Sequence, residues 1–134
     1  MGKYFTVDEL IYSATAKLKK IDNTPNGAIK RNIESLIEQL DKIRAKYGKP
    51  IFINSGYRCD KLNDAVKGVK TSNHLLGVAA DLDTRKGKAE NQKLYDLIIK
   101  NFDFDECHWE NNGAWIHYAY VRPNRKKKAN ITQC

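Results

Sequence analysis

The densest cluster of residues able to do chemistry is the segment Ser72-Asn73-His74-Leu75-Leu76-Gly77-Val78-Ala79-Ala80-Asp81. The imidazole of His74 and the carboxylate of Asp81 are ligand types that zinc accepts. Asp81 lies in an apolar run, where a lone carboxylate is unfavourable unless a cation or a hydrogen-bond donor compensates for its desolvation. The cluster therefore predicts a metal site. The spacing alone does not require a metal, because a histidine followed seven residues later by an aspartate is common in proteins.

A third ligand is expected from Trp115-Ile116-His117-Tyr118, where His117 occupies an alternating strand position. Two histidines and one carboxylate leave one position of a four-coordinate zinc ion open, which is typical of catalytic zinc. His74, Asp81 and His117 are thus the predicted metal ligands, and Zn²⁺ is the predicted cofactor.

The pair Asn112-Gly113 predicts a β-hairpin with a two-residue type I′ turn. With this pair at the tip, the numbers of facing residues sum to 225, so His108 lies opposite His117. Because side chains alternate between the faces of a strand, one face collects two imidazoles and two carboxylates. That face consists of Glu106, His108, Glu110, Trp115, His117 and Ala119.

Helices are expected to lead the chain. Thr6-Val7-Asp8-Glu9 is a capping box, and one apolar stripe runs from it to Leu18. A longer helix is predicted with Thr24 as N-cap and Pro25 as its first residue, ending at Gly48.

The rest of the chain alternates between strand-like and helical patterns. Strands are predicted at 50–54, 77–83, 104–110 and 114–121, a helix at 89–102, and mostly loop with one helical turn at 55–73. These elements predict a single α+β domain, with N-terminal helices packed on a small, mostly antiparallel sheet.

The length and charge of the chain limit the classes of function that fit it. The chain has 134 residues, enough for one domain, and a formal net charge of +8. Residues 122–134 carry five cations and no acid, so we expect a domain over 1–121 and a basic C-terminal tail over 122–134. Such a tail either aids solubility or holds nucleic acid without sequence specificity, and no base-reading motif accompanies it.

Compartment and association are also expectations of the sequence. The start MGKYFTVDEL has acids where a signal peptide would be apolar, which predicts a protein made in the cytoplasm. No run is long enough to span a membrane. The three cysteines favour reduced thiols, although a bridge between Cys59 and Cys107 is left open. Nothing in the pattern requires more than a monomer.

The string Ser72-x-His74-x-x-Gly77-x-Ala79-x-Asp81, followed by Trp115-x-His117, resembles the zinc peptidases of the D-Ala-D-Ala carboxypeptidase type, the M15 family. Ser55-Gly56-Tyr57-Arg58 strengthens the resemblance, because the family has such a segment shortly before its histidine motif. The resemblance extends from about Phe5 to Val121. It implies the hedgehog/D-Ala-D-Ala peptidase-like fold, with zinc bound by His74, Asp81 and His117.

The resemblance also implies roles for two polar residues. Arg58 would hold a substrate carboxylate or stabilise charge on the scissile carbonyl, which suits a planar, permanently charged guanidinium. Ser72 would hydrogen-bond near the metal or the substrate. Without the resemblance, a structural salt bridge and a turn cap are the simpler readings of Arg58 and Ser72.

The general base is the point where the chain departs from the family. Many relatives carry an acid three residues before the last zinc histidine, and this chain has Ala114 there. Some phage and bacterial relatives instead have an acid just before the hairpin turn, which corresponds to Glu110. We therefore expect Glu110 to be the base, with Glu106 and then His108 as alternatives.

The resemblance implies a zinc metallopeptidase that hydrolyses peptide bonds in the stem or cross-link of bacterial peptidoglycan, as a carboxypeptidase or an endopeptidase. A phage-encoded enzyme released to the cell wall fits the expected absence of a signal. Ala114 keeps an alternative open, in which a non-catalytic zinc-containing module binds the wall or a protein.

Overall fold

The computed structural model describes residues 3–70 and 72–121, and the backbone of residues 129–131. Within this part of the chain, helices pack on one sheet, which confirms the α+β prediction. None of its helices is both long and apolar enough to cross a membrane. The helices are α1 (Val7–Ile11), α2 (Ala14–Leu18), α3 (Gly27–Tyr47), α4 (Asp60–Ala65) and α5 (Lys88–Asn101), with 3-10 turns at Asn73–Leu76 and Asn111–Gly113.

The sheet has the strand order β1-β2-β4-β3-β5. Its strands are β1 (Phe52–Ser55), β2 (Ala79–Asp83), β3 (Glu106–Glu110), β4 (Trp115–Ala119) and β5 (Ala129–Ile131). The first four pair antiparallel, and β5 pairs parallel with β3. Strand β5 falls within the predicted basic tail, whose residues 122–128 and 132–134 lie outside the described residues.

The β3–β4 hairpin has the predicted register, with His108 opposite His117 and Glu110 opposite Trp115. Asn112 (φ 55°, ψ 37°) and Gly113 (φ 89°) adopt the left-handed conformation of the predicted turn. The ladder nevertheless stops at the Glu110–Trp115 pair, so four residues rather than two connect the strands.

The core lies between α3, α5 and one face of the sheet. Helix α3 buries an aliphatic stripe from Ile33 to Ile43, and alternate residues of the strands pack against it. The main contributors are Ile33, Leu36, Ile37, Leu40 and Ile43 of α3, Leu94 and Ile98 of α5, and Ala80, Leu82, Cys107, Trp109, Ile116 and Tyr118 of the sheet. Because strand side chains alternate, the other face is left free for polar residues.

The N-terminal helix predicted as one stripe is divided in two. Thr6 and Glu9 form the predicted capping box of α1, but Tyr12 is extended and ends this helix. The hydroxyl of Ser13 then accepts a hydrogen bond from the Ala16 N–H and starts α2. A serine that caps a new helix competes with continuation of the old one, which periodicity alone does not reveal.

The predicted N-cap of the long helix is wrong by two residues. Asn26, not Thr24, caps α3, because its side-chain oxygen accepts from the Ile29 N–H at 2.9 Å. The Thr24 hydroxyl instead donates to Asp22. The predicted end is confirmed, since Gly48 adopts the left-handed conformation that terminates a helix.

Cys59 and Cys107 are free thiols, so the bridge left open by the sequence does not form. Cys107 is fully buried in β3, and Cys59 is the N-cap of α4.

Glu90 ties the start of α5 to the end of α3. It accepts hydrogen bonds from the Lys49 ammonium at 2.7 Å and from the Tyr47 hydroxyl. These bonds, that from Lys49 most of all, outweigh the effect of burial and lower the pKa of Glu90 to about 2. A depressed carboxyl pKa stabilises the fold above the ordinary value and ceases to do so as the pH falls below it.

We therefore expect Glu90→Gln to lower the urea midpoint of unfolding at pH 7. The difference from wild type should shrink as the pH falls from about 4.5 towards 2, because protonated Glu90 loses the same interaction. Glu34→Gln, at an exposed position of α3, is the matched control and should leave the midpoint unchanged. A gap between Glu90→Gln and wild type that is constant from pH 7 to 3 would contradict this role.

Candidate active site

A cavity of about 420 Å³ opens on the polar face of the sheet. All residues that the sequence analysis assigned to the site line it, together with three further side chains. The lining residues are Arg58, Val69, Ser72, Asn73, His74, Asp81, Glu106, His108, Glu110, Trp115 and His117.

The three predicted metal ligands meet in this cavity. His74 Nε2 lies 3.3 Å and His117 Nδ1 3.2 Å from the same oxygen, Asp81 Oδ1. Their candidate ligand atoms all lie within 4.8 Å of one another. One cation could therefore contact all three.

The ring of His74 is oriented by the backbone. Its Nδ1–H donates to the carbonyl oxygen of Gly56 at 2.7 Å, and a carbonyl can only accept. A neutral His74 must then present the lone pair of Nε2 to the Asp81 carboxylate. Two hydrogen-bond acceptors that face each other can both coordinate one cation through their lone pairs. A backbone carbonyl that accepts from the other ring nitrogen is a usual support of a metal-binding histidine.

The ring of His117 is oriented by a carboxylate. Its Nε2–H donates to Glu106 Oε1 at 2.9 Å, while Nδ1 faces Asp81. Burial lowers the pKa of His117, but the hydrogen bonds and negative charges of Asp81 and Glu106 outweigh it and raise the pKa to about 9. At neutral pH His117 therefore carries a proton that a bound metal would have to displace.

Asp81 remains ionised although it is buried in β2. Burial raises its pKa, but hydrogen bonds from His117 and His74 and their positive charges, both present when the rings are protonated, hold the pKa well below the ordinary range. Arg58 Nη2 adds a positive charge 3.7 Å from Asp81 Oδ2. The buried charge of Asp81 is therefore compensated by the cationic groups that surround it.

The segment Ser55-Gly56-Tyr57-Arg58 joins this site to the N-terminal helices. The Tyr57 N–H donates to the Leu10 carbonyl at 2.7 Å, which presses the segment against α1. A Cβ on Gly56 would lie 2.2 Å from that oxygen, so the position requires glycine. The same residue supplies the carbonyl that holds His74.

Arg58 is fixed by three neighbours. Its Nε donates to Ser55 Oγ and its Nη1 to Asn63 Oδ1, each at 3.0 Å. Its backbone N–H donates to the His74 carbonyl at 3.1 Å. Nη2 faces Asp81 and the cavity. This orientation would allow Arg58 to bind an anionic group of a ligand.

Ser72 caps the 3-10 turn that carries His74. Its hydroxyl accepts from the His74 N–H at 3.1 Å. The structure thus gives Ser72 a positioning contact beside the site, and its predicted contact with substrate stays a prediction.

The three candidates for the base have different surroundings. The Glu106 carboxylate already has partners, because it accepts hydrogen bonds from His117 and from Asn73 and lies 3.6 Å from His108 Nε2. His108 stacks on the ring of His117, with 5.4 Å between centroids. The Glu110 carboxylate makes no hydrogen bond or ion pair with the described residues, so it is available to a water or a substrate.

Two residues of the site were missed by sequence reasoning. Asn73 holds Glu106 at 2.8 Å, and its position between Ser72 and His74 could have suggested it. Asn63, which is 1% exposed, holds Arg58 and also donates to the Val69 carbonyl. No local pattern marks Asn63, since its role depends on how α4 packs.

The sequence model of the family described as peptidase M15 matches residues 3–119. No curated protein matched the chain in a sequence comparison. The family match includes every residue that lines the cavity.

Zinc binding should be steeply dependent on pH. Since the pKa of His117 is about 9, the metal must displace one proton below that pH. We expect the apparent dissociation constant for zinc to fall about tenfold per pH unit between roughly pH 7 and 9, measured by competition with a chromophoric chelator.

His108 and His117 offer a matched pair for this measurement, because both are histidines on the same face of the hairpin. His117→Gln should weaken zinc binding by about 100-fold or more and His108→Gln should not. Equal losses in the two variants would contradict the His74, Asp81 and His117 site.

Gly56→Ala should affect both stability and metal affinity. The added Cβ must push the segment from the Leu10 carbonyl, which we expect to destabilise the fold by about 1–3 kcal/mol. It should also weaken zinc binding by displacing the carbonyl behind His74. Gly27→Ala, where the Cβ has ordinary space, is the control for thermal unfolding and zinc titration. Unchanged behaviour of Gly56→Ala would refute the argument.

Proposed function

Since the chain belongs to the peptidase M15 family, we propose that it is a zinc-dependent metallopeptidase that cleaves peptide bonds of bacterial peptidoglycan. The observation that carries the proposal is the set of ligand atoms of His74, Asp81 and His117 within 4.8 Å of one another, in the same cavity as the Glu110 carboxylate, which has no partner among the described residues.

His74, Asp81 and His117 would hold the zinc, and their chemistry fits that ion. Two imidazoles and one carboxylate form a common catalytic zinc set, and both rings have the supporting acceptors such ligands need. Zinc at this site would polarise the scissile carbonyl and lower the pKa of a water to about 7.

Glu110 would move the proton. It lies two residues beyond His108 on β3 and pairs with Trp115, so it borders the metal ligands at the hairpin end of the cavity. Its carboxylate takes a proton from the attacking water and returns it to the departing amine. Glu106 is less suited to this task, because its bonds to His117 and Asn73 hold it in place.

Arg58 would bind negative charge. Ser55 and Asn63 fix its guanidinium, so that Nη2 is already oriented when substrate arrives. A fixed donor of this kind either stabilises charge that develops on the scissile carbonyl oxygen or holds a terminal carboxylate of the peptide.

The charge of the protein supports a wall substrate. A net charge of +8 draws the protein towards an anionic polymer such as the bacterial wall. Stem peptides carry carboxylates, which match the cationic cavity edge at Arg58. The resemblance to D-Ala-D-Ala carboxypeptidases directs the proposal to this class of peptide.

A non-catalytic wall-binding module is the second candidate. Ala114 favours it, because many proteins that the chain resembles carry an acid at this position. The two candidates make opposite predictions for the zinc-loaded protein incubated with purified wall. Release of peptides detected by mass spectrometry supports the enzyme, and bound zinc without release from any wall preparation supports the module.

Glu110→Gln should lower kcat/KM by about 10²- to 10⁴-fold and leave zinc binding intact, because it removes proton transfer but no ligand. Glu106→Gln is the contrasting variant, and we expect it to weaken zinc binding through His117. Both variants are assayed for peptide release and for zinc content. Full activity in Glu110→Gln would remove Glu110 as the base.

A further inference from the structure

A second cavity of about 420 Å³ adjoins the first and shares Arg58 with it. It opens where α1 gives way to α2, between that junction and strand β1 and helix α4. Its lining residues are Tyr12, Ser13, Ala14, Thr15, Ile53, Asn54, Ser55, Tyr57, Arg58, Leu62, Val66 and Arg85. Arg58 therefore lies between the metal ligands and the second cavity.

The second cavity has a cationic lining, in which the Arg58 guanidinium already faces the Asp81 carboxylate at 3.7 Å. Arg58 and Arg85 are its two charged lining residues, and none of its described lining residues is acidic. Arg85 makes no ion pair with the described residues. The nearby Asp83 carboxylate accepts from the backbone N–H of Arg85 and from Asn91, rather than from the guanidinium.

Arg85 is held at the rim of this cavity. Its guanidinium lies over the ring of Phe52, 4.1 Å from the centroid, which restricts its position without using its hydrogen-bond donors. The donors therefore remain available, in an arrangement that matches a carboxylate.

The walls of the cavity also suit a peptide. Tyr12 is 61% and Val66 41% exposed, so both offer apolar surface to a ligand. Ser13 and Thr15 add hydroxyl groups to the lining. Apolar walls with a small number of polar groups are typical of ligand-binding clefts.

We propose that the second cavity is a substrate subsite, in which Arg85 binds a carboxylate of the same peptide whose scissile bond lies at His74, Asp81 and His117. The inference rests on the proposed function, because it names the substrate of that site as an anionic peptide. The peptide passes Arg58 and extends from one cavity into the other, so Arg85 determines specificity without taking part in bond cleavage.

The test uses the zinc-loaded full chain and three synthetic stem pentapeptides. One is L-Ala-γ-D-Glu-L-Lys-D-Ala-D-Ala, one has its glutamyl α-carboxyl amidated, and one has its terminal carboxyl amidated. Arg85→Gln is compared with Lys86→Gln, which removes the same charge from the adjacent exposed residue outside the cavity. KM and kcat are measured by mass spectrometry, and affinity by calorimetry.

We expect Arg85→Gln to raise KM and the calorimetric dissociation constant about five- to tenfold for the unmodified peptide, with kcat unchanged. For one of the two amidated peptides, which identifies the carboxylate, Arg85→Gln and wild type should bind equally. Lys86→Gln should match wild type throughout.

Two results would overturn the subsite. Equal effects of Arg85→Gln and Lys86→Gln would show only a general influence of charge, and equal effects of Arg85→Gln on all three peptides would show that no carboxylate is read. If wild type binds but hydrolyses nothing, the proposed function fails, while calorimetry still decides the subsite. Absence of binding by wild type would refute both.

Discussion

The ionised carboxylate of Asp81 in the interior of the sheet is the constraint on which the site depends. A buried charge of this kind must be compensated by cations or donors, and three lie around it: His74, His117 and Arg58. Each of them is oriented by a residue behind it. The Gly56 carbonyl orients one ring, Glu106 the other, and polar side chains fix the guanidinium.

These supports tie distant segments of the chain to one small volume. The 3-10 turn after residue 72, the segment that follows β1, and strand β4 each place a side chain beside Asp81. Strand β3 supports one of these side chains through Glu106. Helix α3 completes the arrangement from the opposite side of the sheet, because its aliphatic stripe packs on the alternate residues of the same strands. A cation at the centre would therefore join elements that the core already holds from behind.

Sequence reasoning succeeded where the pattern was local. Asn112-Gly113 fixed the hairpin register, and the register placed His108 and His117 face to face. It failed where a long-range contact determines how a side chain is oriented. The Gly56 carbonyl behind His74 and the Asn63 amide on Arg58 depend on how α1 and α4 pack. Periodicity also reports which faces are apolar, but not where a capping side chain divides a helix, so the break before α2 went unseen.

The two carboxylates on β3 show how surroundings separate the roles of equal groups. The His108 imidazole at 3.6 Å and the hydrogen bond from His117 hold the pKa of Glu106 well below its ordinary range, so it remains an anion that orients a ring. Glu110 has no such bonds with the described residues. It pairs with Trp115, the residue next to Ala114, so the hairpin register brings its strand position beside the place where many related proteins carry their acid. Under the proposed function, Glu110 on one strand of the hairpin would replace an acid on the other, and Ala114 alone would then be weak evidence for a lost activity.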